Sequence, residues 1–191
     1  MSTQRTVPAH RASSPRALDR RRSGFSLVEV LMAGVVIVIA MSGFSRAIVS
    51  GLKVNEANRK TAIASEAAQE MLETLYAQNF RNVFAAYNDT TADDPPGLAP
   101  GSSFPITRST WTVESATGMT GTLTFPTMPG APGVLREDVV DFGLGMPRDL
   151  NGDGLVDGLD HSGDYVVLPV RIRVTWPGGG RFTYSALLGG L

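Results

Sequence analysis

Between residues 149 and 160 the chain reads Asp149-Leu150-Asn151-Gly152-Asp153-Gly154-Leu155-Val156-Asp157-Gly158-Leu159-Asp160. Oxygen-bearing side chains fall at positions 1, 3, 5, 9 and 12 of this run, as Asp149, Asn151, Asp153, Asp157 and Asp160. Four carboxylates this close together repel one another unless a cation lies among them. Calcium takes six to eight oxygens at about 2.3–2.6 Å, so it suits such a set. Leu155 at position 7 offers its backbone carbonyl, and Gly154 at position 6 permits the sharp turn a twelve-residue calcium loop makes. The spacing predicts a structural Ca2+ held by Asp149, Asn151, Asp153, the Leu155 carbonyl, Asp157 and Asp160. Val156 is expected as the apolar anchor and Asp164 as a spare ligand. The plainer alternative is an Asp/Asn/Gly-rich turn without metal.

A second chemical feature is a lone carboxylate. Glu29 is the only ionisable side chain from Phe25 to Ser45, a 21-residue apolar run. As a helix that run spans about 30 Å, the hydrocarbon thickness of a bilayer. A carboxylate inside it costs roughly 2.5–3.5 kcal/mol on insertion scales, which makes Glu29 a functional candidate. Immediately upstream lies Arg20-Arg21-Arg22-Ser23-Gly24.

The order basic leader, Gly24-Phe25, Glu29 and apolar run resembles the N-terminus of type IV pilins and of type II secretion pseudopilins. The resemblance covers Gly24 to about Gly43. It implies that prepilin peptidase cuts between Gly24 and Phe25, methylates the new Phe25 amine and leaves Glu29 as the fifth mature residue. Glu29 would then serve assembly, paired with the Phe25 amine of a neighbouring subunit. The stretch Val28-Glu29-Val30-Leu31-Met32-Ala33 looks more like minor pilins and minor pseudopilins than major subunits. An ordinary secretory signal competes, with Ala40-Met41-Ser42 as a small-residue cleavage site, and Arg21-Arg22 hints at a twin-arginine signal. Signal-peptide apolar regions run only about 7–15 residues and give no reason for Glu29. A plain membrane anchor explains the length but not the Gly24-Phe25 junction. The calcium loop differs from an EF-hand, because position 12 is Asp rather than Glu and the flanks do not read as helices. It looks more like the single calcium loops of dockerin-type modules.

Charge follows the same division. Residues 1–24 hold six of the 17 basic residues and one of the 18 acidic ones. The remainder has 11 basic and 17 acidic residues, near −6. The positive-inside rule keeps a basic leader in the cytoplasm and places the C-terminal part beyond the inner membrane. An acidic remainder argues against nucleic acid as a partner. Cysteine is absent. No disulfide can close a C-terminal loop, as one does in many pilins, so something else must fix it.

These features need elements to position them. Residues 1–24 read as a cleavable leader, 25–45 as a transmembrane or filament-core helix, and 46–88 as its amphipathic continuation. There Ala64, Ala68, Met71 and Leu75 recur at helical spacing, with Leu72 and Tyr76 beside them and Glu66, Gln69, Glu70 and Glu73 opposite. Gly43, Ala47 and Gly51 form a small-residue repeat that lets helices approach closely. Residues 89–191 read as a β-rich head. Asp89 to Ser103 is a loop broken by Pro95-Pro96-Gly97. Strands are expected around Trp111 (Ile106, Thr110, Thr112, Val113), from Thr120 to Phe125, and from Val166 to Trp176. The last is followed after Pro177-Gly178-Gly179-Gly180 by a partner containing Phe182, Tyr184 and Ala186, a hairpin. The fold class is α+β: a long N-terminal helix on a C-terminal antiparallel sheet, the layout the pilin resemblance also implies.

Catalysis finds little support. The two histidines are His10, in the leader, and His161, expected as an ordinary exposed residue. The sequence thus reads as a non-enzymatic, minor pilin-like subunit in the inner membrane, with prepilin peptidase and other pilin subunits as partners. Its alternatives are a minor pseudopilin and a membrane-anchored calcium module with no filament role.

Overall fold

The computed structural model describes residues 24–106 and 118–190. The expected leader up to Ser23 and the strand residues Thr110, Trp111, Thr112 and Val113 lie outside the described residues. The chain divides into two compact units, one ending at Ile48 and the other running from Val49 to Leu191.

Helix α1, Leu27–Ala77, holds no proline and contributes to both units. Ser26 caps it, accepting a 3.1 Å hydrogen bond from the Glu29 amide. Serine before the helix with glutamate three residues later is the sequence form of a capping box. Every described residue up to Ile48 is exposed. The helix contains an 18-residue window of mean hydropathy 2.4, none of it buried, so it is long and apolar enough to cross a membrane.

In the second unit α1 turns amphipathic and buries Ile63, Ala64, Ala68, Met71 and Leu75. These steps of three and four residues keep one stripe against a neighbour. The helical stretch stops at Ala77. Asn79 then caps a separate helix α2, Phe80–Tyr87, by accepting from the Arg81 amide at 3.2 Å. The expected continuation to residue 88 is therefore two helices. The N-cap preference of asparagine supplies the reason, because its side chain satisfies an otherwise orphaned amide.

Four strands form the main antiparallel sheet: β1 (Ser103–Pro105), β2 (Thr120–Thr124), β5 (Val167–Trp176) and β6 (Gly180–Gly189), in the order β1-β2-β5-β6. Two short strands between them, β3 (Thr127–Met128) and β4 (Ala131–Leu135), pair separately. The expected hairpin is present, with Trp176 opposite Gly180 and Val167 opposite Gly189. Gly178 and Gly179 turn it with φ of 95° and 80°, values L side chains rarely adopt. Alternation along β5 sends Leu168, Val170, Ile172 and Val174 into the core. Leu168, Val170 and Ile172 share a cluster with Ala68, Met71, Leu75 and the α2 residues Val83 and Phe84, while Val174 joins Ile63 and Ala64. The long helix thus packs on an antiparallel sheet, an α+β fold.

Across the other face of β5, Arg171 grips Asp141 with two bonds, Nη1 to Oδ2 at 2.9 Å and Nη2 to Oδ1 at 2.5 Å. This ties the start of the β4–β5 connection to the sheet. The Arg171 guanidinium holds the Asp141 carboxyl below its ordinary value of 3.8, against a smaller opposing effect of burial. A folded-state value below the unfolded one means the stabilisation is complete above pH 3.8 and fades as pH falls through the folded value. Denaturant midpoints measured from pH 6 to pH 2 should show an acid loss that Asp141→Asn flattens; identical acid limbs would refute the linkage.

Candidate metal site

The β4–β5 connection carries the chemistry, and its organiser is Glu137. This side chain is 1% exposed. Its Oε1 accepts from the amides of Leu150 at 2.6 Å and Asn151 at 3.2 Å, and its Oε2 accepts from the Asp157 amide at 3.2 Å. One buried carboxylate thereby holds the first third and the ninth position of the twelve-residue run. Leu150, fully buried, is the run's apolar anchor, and Val156 is about half exposed. The anchor sits at position 2 rather than 8, because Glu137 draws the Leu150 amide inward.

Around this base the run winds by side-chain-to-backbone bonds. Asp149 accepts from Gly152 at 2.6 Å and from Gly154 at 2.7 Å. Asn151 accepts from Asp153 at 3.0 Å, Asp153 from Leu155 at 2.8 Å, and Asp157 from Leu159 at 2.8 Å. Gly154, with φ 87°, takes the left-handed turn its position requires. The amides of Gly154 and Gly152 hold the Asp149 carboxyl below its ordinary range. The Leu159 amide, followed by His161, does the same for Asp157. Both groups are therefore anionic and retain lone pairs for a cation. Asp160 stands apart: its Oδ1 accepts from the amides of Leu135 at 3.2 Å and Ser162 at 3.0 Å, which leaves Oδ2 as its open ligand atom.

His161 is not the exposed residue its context suggested; it is 3% exposed. Nε2 faces Asp157 Oδ1 at 3.0 Å and Glu137 Oε2 at 3.8 Å, while Nδ1 faces Asp164 Oδ1 at 3.1 Å. Asp164, the expected spare ligand, thus partners the imidazole. Burial works against charge on this ring, but the bonds to Asp157 and Asp164 and the Glu137 charge outweigh it and raise its pKa. Ligand atoms of Glu137, Asp157 and His161 lie within 4.8 Å of one another, close enough to hold one metal ion.

Sequence reasoning missed Glu137 and undervalued His161. Arg136-Glu137-Asp138 reads as a solvated charge run, and only tertiary packing buries its middle member. The one available signal was the apolar Leu135 just before it.

Beyond Asp164 the connection closes on α2. The Tyr165 hydroxyl donates to the Phe80 carbonyl at 2.7 Å and accepts from the Phe84 amide at 3.4 Å. The Val166 and Val167 amides return to the Leu150 carbonyl at 2.8 and 3.1 Å, which fuses the base of the run to the start of β5.

The remaining predicted positions lie far along the chain. Gly24 and Phe25 are exposed ahead of α1, and Glu29 is exposed in its first turn. No family model, curated protein or solved structure matches the chain.

Proposed function

We propose that this chain is a minor pilin-like structural subunit, cut between Gly24 and Phe25, anchored by α1 in the inner membrane and assembled through that helix into a type IV pilus. The observation that carries the reading is the Gly24-Phe25 junction with Glu29, placed at the head of an exposed apolar helix that continues into an α+β head. The basic leader would stay cytoplasmic and the head would lie outside. Prepilin peptidase and other pilin subunits are the partners, and the role is structural rather than catalytic. The test is the intact mass and N-terminal residue of protein taken from membranes. A chain starting at methylated Phe25 is the expected result; a start at Met1 or near Gly43 would leave an anchored or secreted module. Loss of secretion alone on deletion would favour a type II pseudopilin.

The 149–160 loop, in the same reading, holds calcium and fixes the head in place of a disulfide. Its support is the set of carboxyl oxygens of Asp149, Asp153 and Asp157 on a backbone already wound by Glu137. Extracellular calcium sites bind at about 10⁻⁴–10⁻³ M. A hundredfold excess over Kd adds about 2.7 kcal/mol, which for a chain this size raises Tm by roughly 5–10 °C. Melting the purified chain with calcium and with chelator measures this. Equal midpoints, with Asp153→Ala also silent, would refute it.

A further inference from the structure

We propose that His161, Glu137 and Asp157 form a second metal site, distinct from the oxygen-only calcium loop and suited to a borderline divalent transition ion such as Zn2+. Three ligand atoms from separate chain positions converge: His161 Nε2, Glu137 Oε2 and Asp157 Oδ1, all within 4.8 Å of one another. Zinc binds imidazole nitrogen and carboxylate oxygen at about 2.0–2.2 Å, so adjacent ligands in a tetrahedral site stand roughly 3.4 Å apart. The observed 3.0 Å from Nε2 to Asp157 and 3.8 Å from Nε2 to Glu137 bracket that spacing. The longer separation exceeds a hydrogen bond, yet both groups are almost wholly buried and face each other.

Two further features favour a metal over a plain ion pair. Asp164 holds Nδ1 at 3.1 Å, the carboxylate–histidine arrangement that fixes the tautomer and aims the Nε2 lone pair at an ion. Glu137 is also held before any ion arrives, by the amides of Leu150, Asn151 and Asp157. A divalent ion at Nε2 takes the place of the ring proton, which leaves to solvent. It sets two positive charges, rather than one, against the carboxylates of Glu137, Asp157 and Asp164. Calcium is the poorer occupant, since it prefers six to eight oxygens and no nitrogen. Asp157 belongs to both sites and can serve the calcium loop through Oδ2.

The test uses the full chain in detergent, stripped with chelator and titrated with Co2+ in excess Ca2+. Intense visible absorption from a four-coordinate ion, displaced by Zn2+, is expected. His161→Gln should abolish it, and Asp164→Asn should weaken Co2+ binding about 10–100-fold. Asp149→Ala, which removes a calcium ligand and its bonds to the Gly152 and Gly154 amides but none of the three ligands Glu137, Asp157 and His161, should leave it unchanged, so failure of the calcium reading and failure of this one are separable. Only the weak spectrum of hexa-aqua Co2+ in the wild type, or full binding by a folded His161→Gln, would overturn the proposal. Should His161→Gln not fold, X-ray absorption of the zinc-loaded wild type decides: one imidazole in the first shell supports the site, and an all-oxygen shell overturns it.

Discussion

Replacing Glu137 by alanine should cost the head about 3–5 kcal/mol, a large part of the 5–15 kcal/mol typical of a whole domain. The residue is a buried carboxyl whose two oxygens accept from three backbone amides. Alanine leaves those amides of Leu150, Asn151 and Asp157 without a partner and removes one carboxylate from beside His161. Each stranded buried donor carries a desolvation cost of about 1–3 kcal/mol, partly recovered where water can enter. Glu137→Gln keeps an acceptor for Leu150 and Asn151 and should lose clearly less. The neighbouring Asp138 is exposed and pairs only along the surface with Arg136, so Asp138→Ala should leave the midpoint within error. Guanidinium unfolding of the three variants, followed by tryptophan fluorescence, ranks them. A Glu137→Ala midpoint equal to that of Asp138→Ala would show that the carboxylate organises nothing.

The other large effect is expected at Glu29. Under the filament reading, Glu29→Ala should be cut at Gly24 as efficiently as the wild type yet enter filaments at less than one hundredth of its level. An unpaired charge left among packed apolar helices, here the Phe25 amine of a neighbour, costs about 3–5 kcal/mol, more than two orders of magnitude in partition. The local alternative predicts much less. Glu29 stands in the first turn of α1 with its amide capped by Ser26, where a carboxylate gains only about 0.3–1 kcal/mol from the helix dipole. Ser26→Ala, which removes the cap and keeps the carboxylate, provides the control. Counting each variant in sheared filaments and in membranes separates the two origins. Similar, mild losses for both variants would assign Glu29 to helix initiation.

The parts of this fold legible from sequence are those whose signal is local. Ala64, Ala68, Met71 and Leu75 announce a buried helical stripe because their period matches the helix, and all four are buried. The β5–β6 hairpin is legible because its alternation and its glycine turn agree. The break at Gln78-Asn79 was hidden, because periodicity runs on through Phe80 and Val83 into α2. Strands β3 and β4 were hidden by Pro126, Pro129 and Pro132, which read as loop. At the candidate site, the oxygen spacing and the Gly154 turn were visible, but the carboxylate that shapes the run lies twelve residues ahead of it, within a charged triplet. His161 looked like a surface residue because nothing in its own neighbours reports that Leu135 and Glu137 cover it.

The closure of the β4–β5 connection on itself has a consequence for the order of folding. Glu137 reaches Leu150 and Asp157 across 13 and 20 residues, whereas the Tyr76 hydroxyl reaches the Leu187 carbonyl across 111. The entropy lost in closing a chain segment grows with its length, so the short closures are the easier ones to make first. The connection can thus gather around Glu137 while α1 is still undocked, and the Leu150 carbonyl then presents a ready-made start for β5 at Val166 and Val167. A chain without cysteine gains from this a nucleus that depends on neither a disulfide nor the arrival of its own N-terminal helix.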